Sequence, residues 1–161
     1  MIKNLISAKD YTAIKKKDNL TGDELQILQQ ESFKEQQLQI SCKRIFDSCV
    51  MRKNCDDGFA HSNKILYFFQ QNDNGGYSRI SSKKLKSAQG TISGWPDVTL
   101  WKIDQGIEKT MLVEFKRPKE IKLSPNQEKV HKQFFDAGRE VYLCNNTVYF
   151  EKIICKEFFE L

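Results

Sequence analysis

Cysteine pairs are what this sequence most clearly lacks. It has an odd number of cysteines and no CxxC pair; the five are Cys42, Cys49, Cys55, Cys144 and Cys155. This pattern argues against both a disulfide framework and a zinc site. We therefore expect free thiols in a reducing cytosol.

Long apolar runs are also missing. No run approaches the roughly 20 residues of a membrane span, and the N-terminus has neither a sustained apolar core nor a cleavage site. We therefore expect no signal peptide and a cytoplasmic protein, associated with a nucleoid or with a host cytosol or nucleus. Histidine is scarce, since only His61 and His131 occur. Neither has carboxylates or cysteines clustered around it in sequence, so neither is expected to bind a metal.

The charge of the chain is mildly basic, at +5 for 161 residues. This permits binding to nucleic acid or to an anionic surface without requiring either. Basic residues concentrate at 15–17, 79–86 and 116–122, and a solvated face is the alternative explanation for each group. The length and the 39% hydrophobic content predict one globular domain that needs no disulfide or metal staple.

Helical periodicity marks residues 31–54. Apolar residues recur there at three- and four-residue steps, forming one stripe of Leu38, Cys42, Ile45, Phe46 and Cys49. Glu35 falls on this stripe, where an acid either begins the helix near its positive end or points into a site. Residues 1–23 are polar and weakly periodic. We predict a loose arm there, at most with one short helix, and place the boundary of the arm at residue 30.

Strand patterns follow in the middle of the chain. KILYFFQQ at 64–71 predicts a strand that ends in a glycine turn, and SRISSKKLKSAQG at 78–90 predicts a short basic helix. PDVTLWKI and TMLVEFK flank the turn IDQG, and together they predict an antiparallel hairpin.

The last third of the chain begins with a well-marked helix at 124–138, SPNQEKVHKQFFDAG. Ser124 suits the N-cap, Gln127 completes a capping box, and Gly138 suits the C-terminal end. REVYLCNN predicts a strand, and TVYF is interpreted as an extension of that strand or as its partner. EKIICKEFFEL predicts a terminal helix, so the order of elements indicates a mixed α/β domain.

Three charged side chains on the predicted hairpin suggest chemistry. Glu114 and Lys116 are two residues apart on a strand and share a face, whereas Val113 and Phe115 face the core. Asp97, at the start of the neighbouring strand, is expected close to Glu114. Two carboxylates with a nearby backbone carbonyl suit Mg²⁺. The alternatives are an ordinary Glu–Lys ion pair on a solvated face and an aspartate that caps a turn.

Three motifs occur in order: GWPD at 94–97, VEFK at 113–116 and LSPNQ at 123–127. Neither PD nor ExK is specific alone, but the ordered set at these spacings resembles the VRR-NUC (virus-type replication-repair nuclease) domain of the PD-(D/E)xK nuclease superfamily. KEQQLQ at 34–39 is similar to the family's acid-bearing first helix. The resemblance covers about residues 31–160 and implies a restriction-endonuclease-like α/β core, with a mixed sheet flanked by helices.

The resemblance also implies roles for individual residues. Asp97 and Glu114 would bind Mg²⁺ or Mn²⁺ together with the backbone carbonyl of Phe115. Lys116 would act on the attacking water, and Gln127 would support the site or serve only in the capping box. Glu35 would be the first-helix acid, although Glu31, one turn earlier on the same face, remains an alternative.

Candidate DNA contacts lie on both sides of this site. The Asn-Gly-Gly segment FFQQNDNGGYSR resembles a family segment near DNA, although a plain turn explains it about as well. The candidates are Asn74, Gly75, Gly76, Arg79, Lys83, Lys84, Lys86, Lys119 and Lys122.

The resemblance implies a metal-dependent DNA endonuclease. Stand-alone members of the family resemble junction-resolving homodimers, so we expect a homodimer that cuts branched DNA in repair or recombination. The alternatives are a flap or exonuclease-type repair nuclease, restriction-like sequence-specific cleavage, and a non-catalytic nucleic-acid-binding module on the same fold. The terminal helix, with Ile153, Ile154, Phe158 and Phe159, is a candidate dimer surface, with packing into the core as its alternative.

Overall fold

A five-stranded mixed sheet organises the protein, whose computed structural model describes residues 2–56, 65–72 and 92–160. In chain order the strands are β1 (Ile2–Asn4), β2 (Leu66–Gln71), β3 (Val98–Asp104), β4 (Ile107–Phe115) and β5 (Val141–Cys144). Their order in the sheet is β1-β5-β4-β3-β2. The pairs β2–β3 and β3–β4 are antiparallel, whereas β5 runs parallel to both of its neighbours.

Helices flank this sheet. They are α1 (Ala8–Lys15), α2 (Gly22–Gln29), α3 (Glu35–Asp56), α4 (Pro125–Asp136), α5 (Thr147–Ile153) and a terminal π-helix (Ile154–Phe159). The arrangement confirms the predicted α/β class, and a mixed sheet flanked by helices is consistent with a restriction-endonuclease-like fold. Within the described ranges, no helix combines the length and the apolar character needed to cross a membrane.

The β3–β4 hairpin is confirmed, and its turn explains its register. Gln105 and Gly106 form a two-residue loop, and both have positive φ angles, 49° and 81°. A two-residue turn with this geometry matches the right-handed twist of the strands and fixes their alignment. Val98 consequently pairs with Val113.

The apolar stripe of α3 packs on one face of the sheet. Leu38, Cys42, Phe46 and Cys49 are buried against the strands in one cluster with Phe115 and other strand residues. This confirms the predicted stripe and the predicted inward direction of Val113 and Phe115. The helix begins at Glu35, four residues later than the periodicity indicated, so Glu31 lies outside it. Cys42, Cys49, Cys144 and Cys155 are free thiols, as expected.

The N-terminal residues are more ordered than the loose arm expected for 1–23. β1 adds a strand to the sheet, and α1 and α2 each begin with a reciprocal capping box, Ser7 with Asp10 and Thr21 with Glu24. Each box satisfies backbone N–H groups that have no partner within the helix, and this stabilises a short helix. The division of the chain into an arm and a nuclease domain at residue 30 stays a prediction.

The strand interpretation of TVYF is wrong, because these residues begin α5. The Asn146 side chain accepts a hydrogen bond from the Tyr149 N–H at 2.8 Å, which caps the helix. Ile154, Phe158 and Phe159 are fully buried in the main core cluster, and Ile153 packs against it. The terminal helix therefore belongs to the core, and the alternative that it forms a dimer surface is not supported.

The sequence patterns for a basic helix at 78–90 and for the Asn-Gly-Gly turn fall on residues 73–91, which lie outside the described residues.

Candidate active site

The hairpin brings Asp97 and Glu114 to the same step of the sheet. Val98 pairs with Val113, so the next position along both strands places Asp97 opposite Glu114. The carboxylate of Asp97 is tied to the partner strand, because its Oδ2 accepts a hydrogen bond from the Phe115 N–H at 2.8 Å. The register of the hairpin and this hydrogen bond therefore account for the predicted proximity of Asp97 and Glu114.

Glu114 and Lys116 form a buried ion pair, which rules out the solvated-face alternative. Glu114 is 1% exposed and Lys116 is 7% exposed. The Lys116 Nζ lies 3.0 Å from Glu114 Oε1. Taking two charges out of water costs free energy that is recovered only with good geometry and further hydrogen bonds. Burying this ion pair costs free energy of folding, and charged groups buried at such a cost are typical of functional sites.

Gln127 supplies those further hydrogen bonds from the first turn of α4. Its Oε1 accepts from Lys116 Nζ at 2.8 Å, and its Nε2 donates to Glu114 Oε1. The same Oε1 accepts from the Ser124 N–H at 2.9 Å, and the Ser124 hydroxyl accepts from the Gln127 N–H. Gln127 therefore has both of the roles considered from the sequence: it closes the capping box and it joins the Glu114–Lys116 pair.

These two roles can be separated by experiment. Gln127→Ala removes its half of the capping box and the contacts with the ion pair, whereas Ser124→Ala removes only the other half of the box. Each should destabilise the protein by about 1 kcal/mol or more, measured by urea unfolding. Only Gln127→Ala should also lower the rate of DNA cleavage, by about tenfold or more. Equal cleavage by the two variants would reduce Gln127 to a capping residue.

Gly94 explains why the GWPD motif begins with glycine. Its φ is +89°, and a Cβ at this position would lie 2.6 Å from the carbonyl carbon and oxygen of Asn126. The loop therefore presses directly on the first turn of α4, the turn that carries Gln127. Trp95 adds an edge-to-face contact with Phe134 of the same helix, with ring centroids 4.8 Å apart. The motif thus fixes the helix that supplies Gln127.

We expect Gly94→Ala to destabilise the protein by about 3 kcal/mol or more, since a left-handed backbone and a backbone clash both oppose it. Gly106→Ala is the matched control, because Gly106 has a φ of +81° but no atom of the described residues within 4 Å of its added Cβ. Only the backbone cost of about 1–2 kcal/mol applies there. Urea unfolding of both variants measures the difference, and equal losses would contradict the close approach at Gly94.

Glu35, the first residue of α3, shares the electrostatic environment of the ion pair. Burial raises the pKa of the Glu35 carboxyl; Lys116 opposes this rise and Glu114 adds to it. Glu31 lies in a different environment, where it pairs with Lys15 at 2.7 Å and with Lys119. Glu35 therefore interacts electrostatically with the ion pair, and its role as the first-helix acid stays a prediction.

Comparison with known proteins gives one match, to the VRR-NUC domain, over residues 34–147. This range covers most of the chain and contains every element that builds the site. The chain belongs to the VRR-NUC domain family. Neither the curated proteins nor the solved structures give a match. The VRR-NUC domain is a nuclease domain of the PD-(D/E)xK type, so the protein is a nuclease and DNA is its implied partner.

Two of the predicted DNA-binding residues of this VRR-NUC domain, Lys119 and Lys122, lie within the described part of the structure. Lys119 pairs with Glu31 and lies 5.6 Å from the centre of the Tyr11 ring, so it also holds the N-terminal segment. Lys122 is exposed beside a cavity of about 650 Å³. The other candidates lie outside the described residues; they are Asn74, Gly75, Gly76, Arg79, Lys83, Lys84 and Lys86.

His131 was missed from the sequence as a residue of the VRR-NUC site. It is 3% exposed, and its Nε2 lies 3.8 Å from Glu114 Oε2. His131 follows Gln127 by four residues on α4, a spacing that puts both side chains on one face of the helix. That spacing was the available signal, but no cluster of carboxylates or cysteines surrounds His131 in sequence to suggest its use.

The donor set of this VRR-NUC site fits a divalent cation in its chemistry. Asp97, Glu114 and the Phe115 carbonyl offer hard oxygen atoms, which Mg²⁺ and Mn²⁺ prefer. Glu114 Oε2 is buried and has no hydrogen-bond partner among the described residues, which leaves it available to a cation. Among the described residues, no three His, Cys, Asp or Glu side chains converge closely enough to bind an ion by themselves. A cation held here would therefore also need a backbone carbonyl and water as ligands, an arrangement that suits Mg²⁺.

Proposed function

We propose that this nuclease is a Mg²⁺- or Mn²⁺-dependent endodeoxyribonuclease that cuts branched DNA as a homodimer. The observation that carries the proposal is the buried network of Glu114, Lys116 and Gln127, set beside Asp97 at the end of the hairpin. A lone surface Glu–Lys pair would have no reason to be this well enclosed. The reaction would be hydrolysis of a phosphodiester, in which water adds to phosphorus and one P–O bond breaks.

Each side chain has a separate part in this proposal. Asp97 and Glu114, with the Phe115 carbonyl, would hold the cation, which when bound polarises the phosphodiester and lowers the pKa of water. Lys116 would direct its ammonium toward the attacking water and the negative charge that develops on the phosphate. Gln127 would hold the side chains of Lys116 and Glu114 in position relative to each other. Glu35 would add a third carboxylate at the edge of the site.

Branched DNA is proposed as the substrate from symmetry. A four-way junction is close to two-fold symmetric, and a two-fold dimer presents two identical sites to two strands. Specificity would then come from branch shape and from the distance between the sites, with little need for base readout. Such an activity serves DNA repair, recombination or phage-type replication.

The test is a cleavage panel in Mg²⁺ or Mn²⁺ that contains a four-way junction, a flap, a single strand and a plain duplex of the same sequence. Paired, symmetric nicks in the junction and a dimeric mass by sedimentation or light scattering are expected. A monomer that cuts linear duplex as fast as the junction would overturn the branched-DNA and dimer proposals. Preference for the flap would indicate a flap or exonuclease-type repair nuclease. Failure to cut any substrate would favour a non-catalytic nucleic-acid-binding module.

DNA affinity should fall steeply with salt, because each phosphate contact releases counterions and contributes about 0.9 to the slope of log K against log[salt]. Neutralising Arg79, Lys83, Lys84 and Lys86 together should flatten this slope. The matched control also removes four charges, at exposed lysines that already pair with a carboxylate: Lys43, Lys132, Lys152 and Lys156. Fluorescence anisotropy with a labelled junction measures both slopes. An unchanged slope in the variant of segment 79–86 would make that segment an ordinary solvated face.

A further inference from the structure

The two carboxylate oxygens of Glu114 have different surroundings. Oε1 has two polar partners, since Lys116 and Gln127 both contact it. Oε2 is buried and has no hydrogen-bond partner in the part of the chain that the structure describes. One oxygen of the carboxylate is thus held by its contacts, whereas the other is not.

His131 is the side chain that faces this second oxygen. Its Nε2 lies 3.8 Å from Glu114 Oε2, and both side chains are almost fully buried. Within the described ranges, neither ring nitrogen of His131 has a hydrogen-bond partner. Buried polar groups are nearly always paired in folded proteins, and two orphaned groups that face each other indicate a shared role.

We propose that His131 is a positioning residue for Glu114. With its proton on Nε2, the ring donates to Oε2 and fixes the plane of the carboxylate. The observed 3.8 Å is longer than a hydrogen bond, but a shift of about 1 Å closes it. No hydrogen bond from a described residue opposes this shift by holding the ring in place. A carboxylate oxygen has two lone pairs, so Oε2 can accept from His131 and still face a cation.

This inference rests on the proposed function, in which Glu114 binds the cation. A hydrogen-bonded partner behind a ligating carboxylate orients the ligand and typically raises metal affinity by about 10- to 100-fold. The competing explanation is that His131 only fills space between Glu114 and the neighbouring cavity lined by Leu123 and Phe135. An apolar side chain of similar size would then serve as well.

Divalent affinity of the DNA-free protein distinguishes these explanations. Isothermal titration with Mg²⁺ and with Mn²⁺ should show about 10- to 100-fold weaker binding by His131→Leu. His131→Gln keeps an N–H donor at a similar reach and should restore affinity to within about threefold of the wild type. Gln133→Leu, at an exposed position of the same helix, should bind as the wild type does. Wild-type affinity in a folded His131→Leu variant would overturn the proposal.

If the wild type binds neither ion, that result counts against the proposed cation. The role of His131 is then tested by a measurement without metal. The cycle of His131→Leu, Glu114→Met and the double variant is measured by urea unfolding without added metal, because methionine has a similar size but no oxygen that could accept from His131. The two changes should be non-additive, by about fivefold in the folding equilibrium constant, because they remove the same contact. Additive losses would show that His131 and Glu114 do not interact and would overturn the proposal whatever the fate of the nuclease assignment.

Discussion

Asp97→Asn should lower the rate of DNA cleavage by on the order of a thousandfold while leaving the protein folded. The amide oxygen of asparagine can still accept the hydrogen bond that Asp97 Oδ2 accepts from the Phe115 N–H. The charge that attracts a divalent cation is nevertheless lost. Initial rates in Mg²⁺ measure the effect, and thermal unfolding checks the fold.

Asp104→Asn is the matched control for this prediction. Asp104 is the last residue of β3, at the opposite end of the strand from Asp97, and its substitution should leave cleavage unchanged. If Asp97→Asn cut at the wild-type rate, Asp97 would be no ligand.

Glu114→Ala is a less informative variant, because it leaves the buried Lys116 without its partner. Breaking a buried pair in this way costs about 3–5 kcal/mol, so lost activity would be mixed with lost folding.

Lys116→Met should lower cleavage by about a hundredfold or more, because it removes the ammonium that is proposed to act on water and phosphate. Divalent affinity should be largely retained, since Lys116 is proposed to act beside the cation without binding it. Stability in the absence of metal should fall by about 3–5 kcal/mol, because the buried Glu114 carboxylate loses its cationic partner. Single-turnover cleavage, calorimetric titration and urea unfolding measure the three effects.

Lys109→Met provides the control on the same strand, since Lys109 is half-exposed and pairs with Glu160 on the surface. Exposed pairs contribute at most about 1 kcal/mol, so neither cleavage nor stability should change much. A Lys116→Met variant that lost divalent affinity as fully as Asp97→Asn would show that Lys116 had been assigned the wrong role.

Local signals account for the parts of the fold that were predicted correctly. The Gln105–Gly106 turn sets the hairpin register, and that register alone places Asp97 opposite Glu114. The Ser124–Gln127 capping box fixes the start of α4 and hence the height at which Gln127 meets the ion pair. Each of these signals lies within a few residues of the feature it determines, so a single sequence suffices to read it.

Contacts between distant parts of the chain were out of reach of the same reasoning. TVYF is apolar and aromatic enough for a strand, but it begins a helix whose first N–H, that of Thr147, donates to Gln30 Oε1, 117 positions away. Glu31 and Glu35 are one turn apart in a continuous helix, and they separate only because α3 begins at Glu35. The position of His131 against Glu114 depends on how α4 packs on the sheet, which the spacing of its residues does not specify.

The pairing of β1 with β5 has a consequence for the order in which the chain can fold. The Ile6 backbone exchanges hydrogen bonds with the Asn145 side chain, and these residues are separated by 139 positions. During synthesis at about 5–20 residues per second, β1 would therefore wait on the order of ten seconds for its neighbour. Closing so long a loop has an entropic cost that slows folding. The first strand made should thus be among the last to pair, and until then the outer edge of β5 stays open to a strand from another chain.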